Sequence, residues 1–225
     1  MKPVSRRSKT QEQCLDLMGI PHWILRNDHS TISIRDLSNK VTMLDDLAFT
    51  VSHCTECSLH SGRQNTVFGS GNREADWLFV GEAPGREEDR IGLPFIGRAG
   101  MLLDAMIKAI GIMREDVYVT NVLKCRPPDN RDPAGAEVKQ CSTYLEKQIE
   151  IVEPRLIVAL GRFAAQALLK SNIPIGKLRG KMHSHPSYGI PLVATYHPAY
   201  LLRSPLEKRK VWNDLQLAKT FFTEM

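Results

Sequence analysis

The chain contains no apolar run approaching the roughly 18 residues that a membrane-spanning helix needs, so it offers no transmembrane segment. Its N-terminus, MKPVSRRSKTQEQ, is basic but lacks an apolar h-region, and no secretory signal is expected there. There is no internal repeat and no low-complexity tract, which sets repeat folds aside. Cysteine is scarce, with five residues. Metal chemistry in a reducing compartment explains them better than a disulfide framework, so a cytoplasmic setting is expected.

What is present is an ordinary apolar and charged balance, 42% and 24% of 225 residues. That length makes one full α/β domain with a short extension. The net charge of +5 and a pI near 9.0 suit a polyanionic partner without naming one, and a merely basic protein fits as well. The chain is organised around WLFVGEAPGREEDRIGLPFIGRAG, residues 77–100. Trp77 to Val80 read as a buried strand. Gly81 stops the run, a polar loop punctuated by Gly and Pro follows, and an apolar helix pattern begins near Met101. Strand, loop and helix are the first half of a βαβ unit, and ligands sit beyond the carboxyl ends of such strands. Glu82 stands at that edge. Phe95, between Pro94 and Ile96, reads as an exposed loop aromatic suited to stacking on a ring.

Residues 1–40 read as an extension and linker, and residues 41–225 as the domain. Within the extension, Gln11 to Met18 suggest a short helix closed by Gly19. Trp23, between aliphatic residues, either folds back onto the domain or docks a partner. The run LDLMGIPHWILR is similar to the start of the clamp-loader psi subunit, which implies a replication or repair protein as partner of residues 11–27.

In the domain, Thr42 to Val51 form an amphipathic pattern with a Thr cap. Strands are predicted at 77–81, 117–121, 156–160 and 192–196, alternating with helices near 98–111, 137–152, 161–170 and 206–222. Residues 171–191 read as loop. The expected architecture is a four-stranded parallel sheet with helices on both faces. The stretch CRPPDNRDP, residues 125–133, cannot be regular structure, because prolines and Asp-Asn interrupt it. Asp89 and the Glu87-Glu88 pair read as solvated loop charges.

Four cysteines form a pattern of Cys54-x2-Cys57 followed by Cys125-x15-Cys141. One close pair plus two distant ligands suits a zinc ion or a [4Fe–4S] cluster. Independent thiols are the third reading, and the spacing alone does not decide. Cys14 stands apart.

The motifs CTEC (54–57), VFGSGN (67–72), GEAPGREEDRIGLPFIGRAG (81–100), NVLKCRPPDNRDP (121–133), LGRFA (160–164) and HPAYLLR (197–203) occur in one order. In this order they closely resemble the family 4 uracil-DNA glycosylases. The resemblance covers the chain from about Met43 to Phe222. It implies a three-layer α/β/α fold and a [4Fe–4S] cluster on Cys54, Cys57, Cys125 and Cys141, with a structural role near DNA.

An enzyme that cuts the N-glycosidic bond of uracil must flip the base out of the stack. The resemblance implies that Phe95 stacks on the flipped ring and that Asn121 reads its edge. An amide offers one donor and one acceptor, which match O4 and N3–H of uracil. His197 is implied as the donor that stabilises charge on O2 of the departing base. Glu82 can orient the attacking water and stabilise the cationic sugar. Ala83 and Gly85 supply a small-residue turn beside the base. Leu201, Leu202 and Arg203 resemble a loop entering the minor groove as an apolar wedge, with one of the two leucines expected in the core. Basic residues from Lys170 to Lys181 and from Arg203 to Lys210 are assigned as a group to phosphates. No lysine in these motifs is placed to attack C1′, so a monofunctional enzyme is expected; a monomer and uracil-containing DNA, single- or double-stranded, are expected beside it. Three rival readings stand beside it. One is a homologue that traps uracil-DNA covalently through His183 or His185. The others are a non-catalytic glycosylase-like DNA-binding module and an iron–sulfur electron carrier.

Overall fold

Four apolar runs pair side by side and build the centre of the molecule. In the computed structural model, which describes residues 34–224 with side chains from Asn39 onward, they are β2 (Trp77–Gly81), β3 (Tyr118–Asn121), β4 (Leu156–Leu160) and β6 (Pro191–Thr195). They run parallel in the order β3-β2-β4-β6. Two short edge strands complete a six-stranded sheet. β1 (Ser70–Gly71) pairs antiparallel with β3, and β5 (Met182–Ser184) pairs antiparallel with β6. The predicted strand count of four is corrected to six. Strands of two and three residues carry too few side chains to show alternation, so periodicity cannot reveal them.

The side chains of the central strands alternate between two cores, as a pleat of period two requires. Leu78 and Val80 of β2, with Ile157 and Ala159 of β4, face one core. Trp77 and Phe79, with Leu156, Val158 and Leu160, face the other. The first core is covered by α1 (Ile34–Ser52), α4 (Gly135–Val152) and α5 (Arg162–Leu169), through Leu44, Leu145, Ile149 and Leu168. The second is covered by α3 (Arg98–Ala109), α7 (Pro198–Arg203) and α8 (Lys208–Glu224), through Leu103, Ile107, Leu201 and Leu215. Two short helices, α2 (Arg86–Ile91) and α6 (Ile175–Leu178), lie in the connections. The layers are therefore α/β/α.

Helix α1 starts at Ile34, ahead of the expected Thr42 cap. Its buried Leu44, Leu47 and Val51 keep one face on the core, and the sequence before Thr42 has no residue that must break a helix. The region 171–191 is more ordered than expected, since it holds α6 and β5. The expectations for Gln11 to Met18, Cys14 and Trp23 lie outside the described residues. Among the described residues no helix is long and apolar enough to cross a membrane.

Candidate active site and cysteine pocket

Parallel strands of similar length end together, so residues just past their carboxyl ends are neighbours. Gly81 and Asn121 close β2 and β3 in direct register. The amides of Val122 and Leu123 donate to the carbonyls of Gly81 and Glu82, at 2.9 and 3.0 Å. The chain after Asn121 thus fixes the backbone of Glu82. On the other side, Gly161 follows β4 and donates its N–H to Thr195 O at 2.8 Å. It has φ +91, and a Cβ there would stand 2.9 Å from His197 Cβ. Glycine allows both the left-handed backbone and the approach of the histidine.

His197 caps α7. Its Nδ1 accepts from Ala199 N–H at 3.1 Å. Because Nδ1 accepts, the ring proton of the neutral form belongs on Nε2. Burial, reinforced by the positive charge of Arg203, pushes the His197 pKa down to about 4. Near neutral pH the ring is an uncharged Nε2–H donor.

Phe95 sits 5.6 Å from His197, ring centroid to centroid, at 31°. A Cβ on Gly81 would lie 2.3 Å from Asn121 Oδ1 and 2.5 Å from Phe95 Cζ. Phe95, Asn121 and His197 therefore converge. Phe95 is not an exposed loop aromatic as expected: it is only 8% exposed, with a left-handed φ of 55°. It folds inward because its ring packs into the second core. Asn121 is 2% exposed, and its Oδ1 has no hydrogen-bond partner. An unpaired buried acceptor costs about 1–3 kcal/mol, which a ligand N–H can offset.

These residues wall an open cleft of about 1740 Å³, counting space open to solvent. Glu82, Ala83 and Gly85 line it, and Arg203 stands on its rim. Burial pushes the Glu82 carboxyl up to about 7, Asp132 adds to the rise and Arg162 opposes it. Asp132 and Arg162 line the same cleft and pair at 2.9 Å, a contact that the motifs did not single out. Among the described residues no lysine lines the cleft, and His197 is the one histidine that does. His183 Nε2 is held 2.6 Å from Leu178 O, and His185 is buried against Tyr188.

Leu201 is corrected as a wedge. It is 1% exposed and belongs to the second core. A helix of six residues must bury one face, and Leu201 is on it while Leu202 is 37% exposed. Asp89 is corrected too. It is buried, and its Oδ1 accepts from the amides of Gln64 and Asn65, at 3.0 and 3.4 Å. Arg179 is not available to phosphates: its guanidinium donates to both oxygens of fully buried Asp214, at 2.8 and 3.1 Å.

A second, shallow concavity, of about 320 Å³ counting space open to solvent, gathers Cys54, Cys57, Cys125 and Cys141. All four are free thiols, the first two partly exposed and the last two buried. Arg63 Nη1 donates to Cys125 Sγ, and the Lys124 amide to Cys141 Sγ, each at 3.3 Å. Burial pushes both thiols up, Cys141 to about 11. Among the described residues no group of three or more His, Cys, Asp or Glu side chains is arranged to hold a metal ion. The four cysteines around this pocket are a donor set that a zinc ion and a [4Fe–4S] cluster both use. The Lys124 Nζ, fully buried, donates to Thr120 Oγ1, Gln148 Oε1 and Asn121 O, at 2.7, 2.6 and 2.6 Å. Lys124 thus joins the cysteine pocket to the strand end that carries Asn121.

The sheet, the cleft at its carboxyl edge and the ordered residues within it define a class. The sequence pattern of the uracil DNA glycosylase superfamily matches residues 68–216. The type-4 uracil-DNA glycosylase of Archaeoglobus fulgidus is 45% identical over 179 residues, covering 77% of this chain and 90% of that protein. That of Thermotoga maritima is 46% identical over 174 residues, covering 76% and 90%. That of Saccharolobus solfataricus is 44% identical over 183 residues, covering 78% and 85%. The chain belongs to the uracil DNA glycosylase superfamily, in its type-4 branch.

Proposed function

We propose that this protein excises uracil from DNA by hydrolysing the N-glycosidic bond and leaves an abasic site. The convergence of Glu82, Phe95, Asn121 and His197 on one cleft carries the reading. A flipped uracil lies on Phe95, as stacking on an aromatic face favours. Asn121 takes its polar edge: Oδ1, otherwise unpaired, accepts from N3–H, and the amide nitrogen donates to O4. Cytosine presents a bare N3 and an amine there, and a buried mismatch of this kind is rejected strongly.

The C1′–N1 bond then breaks with its electron pair leaving on the base. The sugar becomes cationic at C1′, and negative charge gathers on O2. The neutral His197 Nε2–H donates to O2, and a preorganised donor in a water-poor site lowers the barrier most where charge develops. The Glu82 carboxylate faces the cation and orients a water, whose oxygen bonds to C1′ while its proton is taken up by the carboxylate. The uracil anion takes up a proton from solvent and the Glu82 carboxyl returns its proton to solvent, so the products are free uracil and a strand with an abasic sugar. With no lysine on the cleft among the described residues, no amine is placed to attack C1′ and cut the strand.

Cys54, Cys57, Cys125 and Cys141 would hold a [4Fe–4S] cluster. When bound, it would supply a structural cross-link between the segments that bear these cysteines. Ala83 and Gly85 let backbone approach the base. Leu202 and Arg203, on the surface of α7, meet the groove, with nearby lysines on phosphates. The protein acts as a monomer in the cytoplasm. A replication or repair partner is assigned to residues 11–27, outside the described residues. The test is a uracil-containing oligonucleotide incubated with the protein and then treated with alkali. Cleavage at uracil alone supports the reading, while an adduct that survives denaturation points to covalent trapping instead.

A further inference from the structure

Glu88, which reads in the sequence as a solvated charge, lines the active-site cleft and is half-buried. One oxygen, Oε1, accepts from both Ile96 N–H and Gly97 N–H, each at 3.1 Å. These are the two amides immediately after Phe95. Two glycines make room for the carboxylate. A Cβ on Gly85 would lie 2.7 Å from Oε2, and one on Gly97 would lie 3.4 Å from Oε1. Phe95 holds a left-handed backbone, φ 55°, which a bulky residue keeps only when its surroundings impose it. The Glu88 carboxylate is the side chain that grips the segment directly beyond that residue.

We propose that Glu88 is a positioning residue, which clamps the Ile96 and Gly97 amides so that the Phe95 ring stays where a flipped base stacks. The inference rests on the uracil-excision reading and adds the part that fixes its stacking platform. What the clamp needs is reach and an acceptor oxygen, not negative charge. Glutamine keeps both, since its amide oxygen can take the place of Oε1. Aspartate keeps the charge but is one methylene short.

The experiment compares full-length Glu88→Gln, Glu88→Asp and Glu88→Ala in single-turnover uracil excision, with free uracil as a competing ligand. Glu88→Ala and Glu88→Asp should each lose roughly tenfold or more in excision, with free uracil inhibiting correspondingly less, on the scale of two lost hydrogen bonds. Glu88→Gln should stay within a few-fold of wild type in both readouts. Combined with Phe95→Ala, the Ala substitution should add little, because the platform it positions is already gone. An aspartate variant more active than the glutamine variant would overturn the clamp, since charge would then be the requirement. So would additive losses with Phe95→Ala, or an unchanged response to free uracil. Should Glu88→Ala not fold, the Gln and Asp variants still decide. Failure of the wild-type protein to release uracil would fall on the proposed function, before any variant is read.

Discussion

At the residue scale, two ionisable groups are driven in opposite directions by the same burial. The Glu82 carboxyl rises to about 7, while His197 falls to about 4. His197 is therefore already neutral where Glu82 titrates, so Glu82 governs the pH response near neutrality. Its charged form is the one that faces a cationic sugar. Single-turnover excision should rise with pH through about 7 and then level off, and Glu82→Gln should flatten that rise. Stability moves the other way. A carboxyl whose folded pKa is raised favours the protonated fold, so its ionisation costs stability as pH climbs from the ordinary carboxylate range towards 7. Melting temperatures should show Glu82→Gln stabilising at pH 8 and close to neutral at pH 4, below the ordinary carboxylate pKa. The placement of Glu82, Asn121 and His197 at strand ends was legible in the sequence because each follows or ends an apolar strand, whereas the roles of Asn121 and His197 rested on the family resemblance. The inward turn of Phe95 and the buried role of Asp89 were not legible, because a loop's contacts are non-local and leave no period to read.

At the element scale, the four parallel strands and the helices between them were legible, since fully apolar runs of about five residues separated by amphipathic stretches have few other folds. The edge strands and α6 were not. They are set by pairing with β3 and β6 and by packing, not by their own composition. The same lesson applies to Arg179, which a count of basic residues places on DNA. It is tied to Asp214, which also accepts from Thr195 Oγ1 at 2.7 Å, so the cluster fastens α8 to the end of β6. Burial pushes Asp214 up, against the Thr195 and Arg179 hydrogen bonds. Removing one partner of a buried ion pair costs about 3–5 kcal/mol. Arg179→Ala should therefore lower the denaturation midpoint strongly and leave the salt dependence of DNA binding unchanged. Arg203→Ala should instead reduce the slope of affinity against salt.

At the scale of the whole molecule, the cysteine pocket and the cleft are joined through Lys124 and the backbone that follows β3. The spacing of the cysteines left zinc and iron–sulfur both open, because convergence of four distant segments is a property of the fold. For the cluster that the type-4 resemblance implies, protein purified without oxygen should carry iron and acid-labile sulfide in equal amounts. Cys141→Ala should lose both and melt at a lower temperature, whereas zinc without sulfide would refute the cluster.

The central claim is that Phe95, Asn121 and His197 form one slot that binds and releases uracil. Its most direct test is the single-turnover excision rate on paired oligonucleotides holding uracil or cytosine at one position, for wild type and His197→Ala. The slot predicts excision at uracil and none at cytosine, with the substitution slowing it by roughly 100-fold or more, as expected for a lost donor to the leaving oxygen. A His197→Ala protein as fast as wild type, or equal release of both bases, would contradict it.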